Sequence, residues 1–189
     1  MYLRMKEIHM EAQQANKPRV ERTPWTPSRV AIQRVAHPLP IPAECRHCGG
    51  AVEIAHNSEV YSAAFGDWPW LYLCRGCGAY VGMHPYTNLP LGTLANRAQR
   101  EARKEVKQLF NALWLDAPDR RGARTQAYTW LASRMGLPEA QCHFGQFDEQ
   151  HCDAAMEILE NAYADLRKQI QRGGEILPEW KKPIAKAEV

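Results

Sequence analysis

Two short runs, CRHCG at Cys45–Gly49 and CRGCG at Cys74–Gly78, constrain this chain more than any other part of it. Each places two thiols three residues apart in a tight turn. A glycine follows the second cysteine in both, at the point where such a turn swings into the left-handed region that glycine enters without Cβ strain. Thiolates are soft, strong zinc ligands, and two such turns complete a tetrahedron. Cys45, Cys48, Cys74 and Cys77 are therefore the expected ligands of one Zn2+. Four thiolates leave no open coordination position, so the expected role of the ion is structural. His47, inside the first turn, is a competing donor that is expected to face solvent instead.

Disulfide pairing fits these cysteines less well. Disulfides belong to exported proteins, and MYLRMKEIHMEAQQANK lacks the apolar centre and cleavage site of a secretory signal. No apolar run approaches the ~18 residues of a membrane span. A cytoplasmic location and no membrane partner are expected. Cys142 and Cys152 remain outside the two pairs.

The 25 residues between the pairs carry β character. Ala51–His56 alternates, Asn57-Ser58 marks a turn, Val60 and Tyr61 open a second strand, and Trp70–Cys74 forms a third. Ala79–Met83 is a further short strand. Helices follow. One is expected from an N-cap at Thr93 to Trp114, with Leu94, Ala98, Ala102, Val106, Leu109 and Leu113 on its apolar face. A second runs from about Arg124 to Met135 and stops at Gly136. A third follows Asp148 to about Arg172, with Cys152, Met156, Leu159, Tyr163, Leu166 and Ile170 as its stripe, and Gly173-Gly174 ends it. The predicted fold is α+β: a small antiparallel zinc-ribbon sheet packed against about three α-helices. Residues 1–43 read as an N-terminal arm, helical over 1–16 and then proline-rich and partly extended. Residues 44–172 form the ribbon (44–84) and helical (93–172) parts, and 173–189 form a loose tail.

The stretch CRGCGAYVGMHPYTNLPLGTLANRAQREARK (Cys74–Lys104) resembles a phage and prophage family of zinc-finger-containing domains of unknown function. The similarity continues through AYTWLASRMGL (Ala127–Leu137) and CHFGQFDEQHC (Cys142–Cys152), covering about residues 45–160. It implies a zinc-centred fold and a phage-type context inside a bacterial host, and no particular chemistry. Lys107 stands where the family usually has histidine, and Asn111 where it usually has aspartate. Acid–base work by those positions would be lost here.

The net charge of +3 is unevenly spread: residues 91–114 hold five basic and two acidic groups, whereas residues 115–160 hold four and eight. On a helical wheel Arg97, Arg100, Arg103, Lys104 and Lys107 span an arc of about 120°. Such a ridge suits phosphates, where each neutralised charge releases counterions. It also suits a solvated face in which Glu101 and Glu105 supply intrahelical partners. Arg120, Arg121 and Arg124 extend the patch. Tyr61, Phe65, Trp68, Trp70, Tyr72, Tyr80 and Tyr86 crowd the ribbon. Rings of this kind either stack on unpaired bases or form its core. Trp68, beside Pro69, is the candidate contact residue.

These features predict a structural-zinc protein that binds DNA or RNA, or joins a nucleic-acid-processing complex, through the basic helix and ribbon aromatics. The competing class is a modulator of a host enzyme or host protein complex that works by occlusion, using the arm and the basic tail (Lys181, Lys182, Lys186). A third expectation makes His84 and His143 a second metal or proton-transfer site of a hydrolytic enzyme. No HExxH, phosphate-binding glycine loop or nucleophile elbow supports catalysis, and no catalytic residue is assigned.

Overall fold

The computed structural model describes residues 22–172 and 178–181. The expected helix over residues 1–16, the pair Gly173-Gly174, and Lys182 and Lys186 lie outside them. The described chain contains a three-stranded antiparallel sheet and five helices, a mixed α+β fold with the cysteine cluster at the sheet.

The sheet is β1 (Val52–His56), β2 (Trp70–Cys74) and β3 (Tyr80–Gly82), in the order β1-β2-β3. Val52 faces Cys74 and Tyr72 faces Val81. Because strand residues alternate between faces, the sheet serves two clusters. Tyr72, Cys74, Val81 and Met83 pack with Cys45 and Leu94 on one side, and Ala55, Leu71 and Leu73 pack with Val60 and Tyr80 on the other.

Val60 and Tyr61 do not form a strand. They sit in α2, a single turn over Ser58–Tyr61 that ends at Ser62 in the left-handed region, φ 64°. Asn57 decides this. Its buried side chain donates to the Phe65 carbonyl at 2.7 Å and accepts from the Phe65 N–H at 3.1 Å, closing the loop on itself. A two-residue apolar run has no periodicity with which to announce such a closure.

The proline-rich stretch contains α1 (Arg29–Gln33), capped by Ser28. It lies against the ribbon. Trp25 meets Trp70 edge-on at 5.3 Å, and the Ser28 N–H donates to the Tyr86 carbonyl at 2.8 Å.

The first long helix, α3 (Arg97–Asn111), starts later than expected and is capped by Asn96, not Thr93. Residues 90–95 are diverted to the exposed edge of β3. Leu91 donates to the Gly82 carbonyl, and Tyr80 and Ala95 exchange N–H···O bonds at 3.1 Å. A sheet edge left with unpaired N–H and C=O groups is costly, and this pairing outweighs an early helix start. Leu94 thereby joins the ribbon core.

The helix α4 (Arg120–Met135) begins at an Asp119 cap and stops at Gly136, φ 66°. The longest helix, α5 (Glu149–Gln171), begins at Asp148, whose carboxylate accepts the His151 N–H at 2.9 Å. On α5, Cys152 and Leu159 are buried as the stripe requires, whereas Ile170 is exposed. Around Phe110, Leu131, Phe147 and Leu159 the three helices close one core. Within the expected tail, Glu179–Lys181 form a 3-10 turn that buries Trp180 to 5% exposure against Trp130 and Tyr163. Among the described residues no helix is long and apolar enough to cross a membrane.

Candidate metal centre

The two cysteine turns are near copies. In the first, the Cys45 N–H donates to the Gly50 carbonyl and the Gly49 N–H to the Cys45 carbonyl, both at 2.8 Å. In the second, Cys74 pairs with Ala79 and Gly78 with Cys74, both at 2.9 Å. Gly49 and Gly78 both adopt φ 70°, the left-handed geometry that the shared glycine predicts. The second turn is tied to the sheet by Arg75, which pairs with Glu53 and, at 2.8 Å, with Glu59. These groups are solvent-exposed, so the two contacts orient the turn more than they stabilise it.

The four Sγ atoms converge, all within 4.8 Å of one another. Cys45 and Cys77 are 3.5 Å apart, and Cys48 and Cys74 are 3.4 Å apart. A tetrahedral ion with Zn–S bonds of about 2.3 Å has sulfur–sulfur edges of about 3.8 Å. The cluster is therefore already near the required size. Room for it is kept by Gly50, where a Cβ would lie 3.3 Å from the Cys48 sulfur and 3.4 Å from that of Cys74. Backbone N–H groups also point at sulfur: that of His47 reaches Cys45 at 3.4 Å.

The charge balance of this donor set calls for a cation. The Cys77 N–H, with help from neighbouring sulfurs, pulls the Cys74 thiol down to about 7. At Cys77 the Ala79 N–H favours the thiolate, but desolvation and the adjacent sulfurs outweigh it and push the thiol up to about 12. Four thiolates in contact repel one another unless a metal ion neutralises them. The residues fit zinc, and Cys45, Cys48, Cys74 and Cys77 form a single site for it. The bound ion supplies a four-way crosslink, worth about 10–16 kcal/mol in finger peptides. His47 stands aside: its Nε2 lies 3.1 Å from the Leu94 carbonyl.

The basic residues of α3 divide into different surroundings. Arg97 and Lys104 are exposed, and Lys104 lies 4.0 Å from Glu101. Arg100 donates to the Ala95 carbonyl at 2.6 Å, and its guanidinium lies over the Tyr80 ring at 4.0 Å. Arg103 turns into the molecule. It donates to the Phe147 carbonyl at 2.7 Å and to Thr93 Oγ1 and carbonyl at 2.7 and 3.1 Å. Burial draws it down to about 10, still protonated at neutral pH. Ala98 is exposed, and the inward face runs instead through Gln99, Arg103, Val106 and Phe110. Ala98 is too small to pull the helix round, and polar Gln99 gives no hydropathy signal even though it too donates to the Phe147 carbonyl, at 2.9 Å. Lys107 faces a cleft shared with Arg124.

Trp68 is half-buried rather than at a loop tip, donating to the Thr87 carbonyl at 3.1 Å and packing on Tyr86. Of the seven ribbon rings, the two most exposed are Phe65 (76%) and Tyr61 (52%), which meet at 6.4 Å. Tyr61 also stands edge-on to Tyr80 at 5.8 Å. The sequence flags these rings as a group, but which of them faces solvent depends on the Asn57 loop. His84 and His143, distant in the chain, line one cleft.

No curated protein and no solved structure matches the chain. A family model described as a zinc-finger-containing domain matches residues 41–162, which span both cysteine turns, all three long-helix starts and most of α5. The chain belongs to this family of zinc-finger-containing domains.

Proposed function

We propose that the chain binds single-stranded nucleic acid, with the zinc ribbon as a rigid platform that presents aromatic rings beside a basic helix. One contact carries this proposal: the Arg100 guanidinium over the Tyr80 ring. Through it the exposed side of α3, with Arg97 and Lys104, runs without a break into Tyr80, Tyr61 and Phe65. Cations follow a phosphate backbone while rings accept unpaired bases, a combination suited to single strands. Desolvation, together with the Tyr80 hydroxyl, pushes the Tyr61 phenol up to about 12, so it stays a neutral donor. Arg103 acts here as a positioning residue that fixes α3 against the ribbon, and Trp68 as the support of Tyr86. The phage-type context implied by the resemblance belongs to the same proposal.

The test is binding of single- and double-stranded DNA and RNA across a range of salt. Single strands should bind more tightly, with affinity falling steeply as salt rises. Arg100→Glu should flatten that slope by about one unit or more. Absent or salt-independent binding would overturn the proposal in favour of a protein partner, for which capture from host lysate is the direct assay.

A further inference from the structure

The arm, the loop after β3, α3, α4 and the loop before α5 meet around a cleft of about 850 Å³, lined by neither the four cysteines nor Tyr61, Phe65 and Tyr80. Five elements deliver positive or titratable nitrogen to it: Arg34 and His37 from the arm, His84 from the loop, Lys107 from α3, Arg124 from α4 and His143 from the last loop. No aspartate or glutamate lines it. Among the described residues, no carboxylate pairs with Arg34, Lys107 or Arg124. A protein of almost balanced charge has thus collected one sign in one concavity. The volume is that of a small-ligand site.

Two features show that the cleft is built. Arg124 lies against two rings, 5.7 Å from that of Trp114 and 5.4 Å from that of Tyr128, and the Tyr128 ring in turn meets His143 at a tilt, 5.6 Å away. A guanidinium so braced loses little freedom on binding. At the mouth, Pro85 and Tyr86 form the middle of a turn closed by the Thr87 N–H and the His84 carbonyl at 3.1 Å, with Tyr86 at φ 61°. Glycine or asparagine normally takes that position. A tyrosine held there is strained, and strain of this kind collects at ligand sites. It leaves the half-exposed Tyr86 lining the cleft.

The geometry points to a site for the phosphate groups of a small phosphorylated ligand of nucleotide size, bound by Arg124, Lys107 and Arg34 with His84, His143 and His37 as further donors. Burial alone lowers His84 below the ordinary histidine range, whereas at His143 the charges of Arg124 and His37 add to burial in the same direction. An anion bound beside Arg124 would offset that positive field at His143. Nothing in this site depends on strand binding at the aromatic surface.

Calorimetric titration of the full chain with ADP and with inorganic pyrophosphate, using adenosine as the uncharged control, tests the site. Saturable binding of either phosphate probe, at least about tenfold tighter than adenosine, is expected. Lys107→Glu and Arg34→Glu should each weaken it by about tenfold or more at an unchanged thermal midpoint. Both side chains are exposed, whereas replacing Arg124 risks the packing of two rings. Arg100→Glu should leave ADP binding intact while weakening strand binding, which separates this site from the proposed function. No saturable binding up to millimolar probe, equal affinity for adenosine, or indifference to Lys107→Glu and Arg34→Glu would overturn the proposal.

Discussion

Gly92 and Gly145 touch backbone to backbone: a Cβ on Gly92 would overlap the Gly145 carbonyl oxygen, which accepts the Thr93 N–H at 2.8 Å. Here the strand-like segment leaving the ribbon meets the loop that starts α5. The metal-centred and helical parts are joined where neither chain carries a side chain on the facing side.

Gly92→Ala should therefore destabilise the protein by about 1–3 kcal/mol, because the obstacle is backbone and cannot rotate away. Gly82→Ala is the comparator. Its Cβ would meet only the Leu91 methyl at 3.3 Å, which can shift, so the loss should be smaller. Denaturant unfolding of the two variants measures the difference; equal losses would contradict the close approach.

Arg103 and Arg100 lie one turn apart on α3 and should respond in opposite ways. Arg103→Lys keeps the charge but loses the fork that reaches Phe147 and Thr93, and should cost about 2 kcal/mol of stability. Its effect on the salt slope of strand binding should be small. Arg100→Glu should change stability by less than about 1 kcal/mol, since the residue is partly exposed, and act mainly on binding. Thermal melts alongside oligonucleotide titrations separate the two.

The Phe65 ring should contribute to strand affinity through stacking alone. Phe65→Ala should weaken single-strand binding by about 1–3 kcal/mol while leaving the salt slope unchanged. A changed slope with unchanged affinity would contradict the stacking role.

Asp148 links the start of α5 to pH. The His151 N–H, aided by its imidazole at 2.7 Å, holds the Asp148 carboxyl below the usual aspartate range. A carboxyl whose folded value is depressed stabilises the fold above its unfolded pKa of about 3.9, and that stability is lost as pH falls through the folded value. Asp148→Asn keeps a capping oxygen and removes the titration. Below about pH 4 the stability gap between the native protein and this variant should narrow, read from melts at matched pH. The comparison between the two proteins also cancels acid release of zinc, which affects both alike. Asp148→Ala, lacking the cap altogether, should cost about 1 kcal/mol at neutral pH.

What the sequence reveals depends on the range over which each feature is determined. The cysteine turns are local: residue type, spacing and the following glycine specify them, and Gly49 and Gly78 adopt the expected geometry. The caps at Asp148 and Gly136 are local too. Thr93 misleads because its neighbours answer to the edge of β3, a partner more than ten residues away, and Val60-Tyr61 misleads because Asn57 closes a loop around them. The inward turn of Arg103 is hidden for a related reason. A polar side chain on a buried face is recognisable only once its acceptor, the Phe147 carbonyl, is in place. The cleft that unites Arg34, Lys107, Arg124 and His143 draws on segments more than a hundred residues apart, and no short-range pattern announces it.

Four sulfurs are placed to hold one zinc ion, and that crosslink should fix the ribbon. Elemental analysis of the natively purified full chain, followed by a circular-dichroism melt with and without a strong chelator, is the decisive check. About one zinc per chain is expected, with a melt that drops sharply on chelation and recovers when zinc is restored. Cys142→Ala and Cys152→Ala should leave the zinc content unchanged, and Cys74→Ser should abolish it. A metal-free chain that melts as the native protein does would contradict the zinc crosslink.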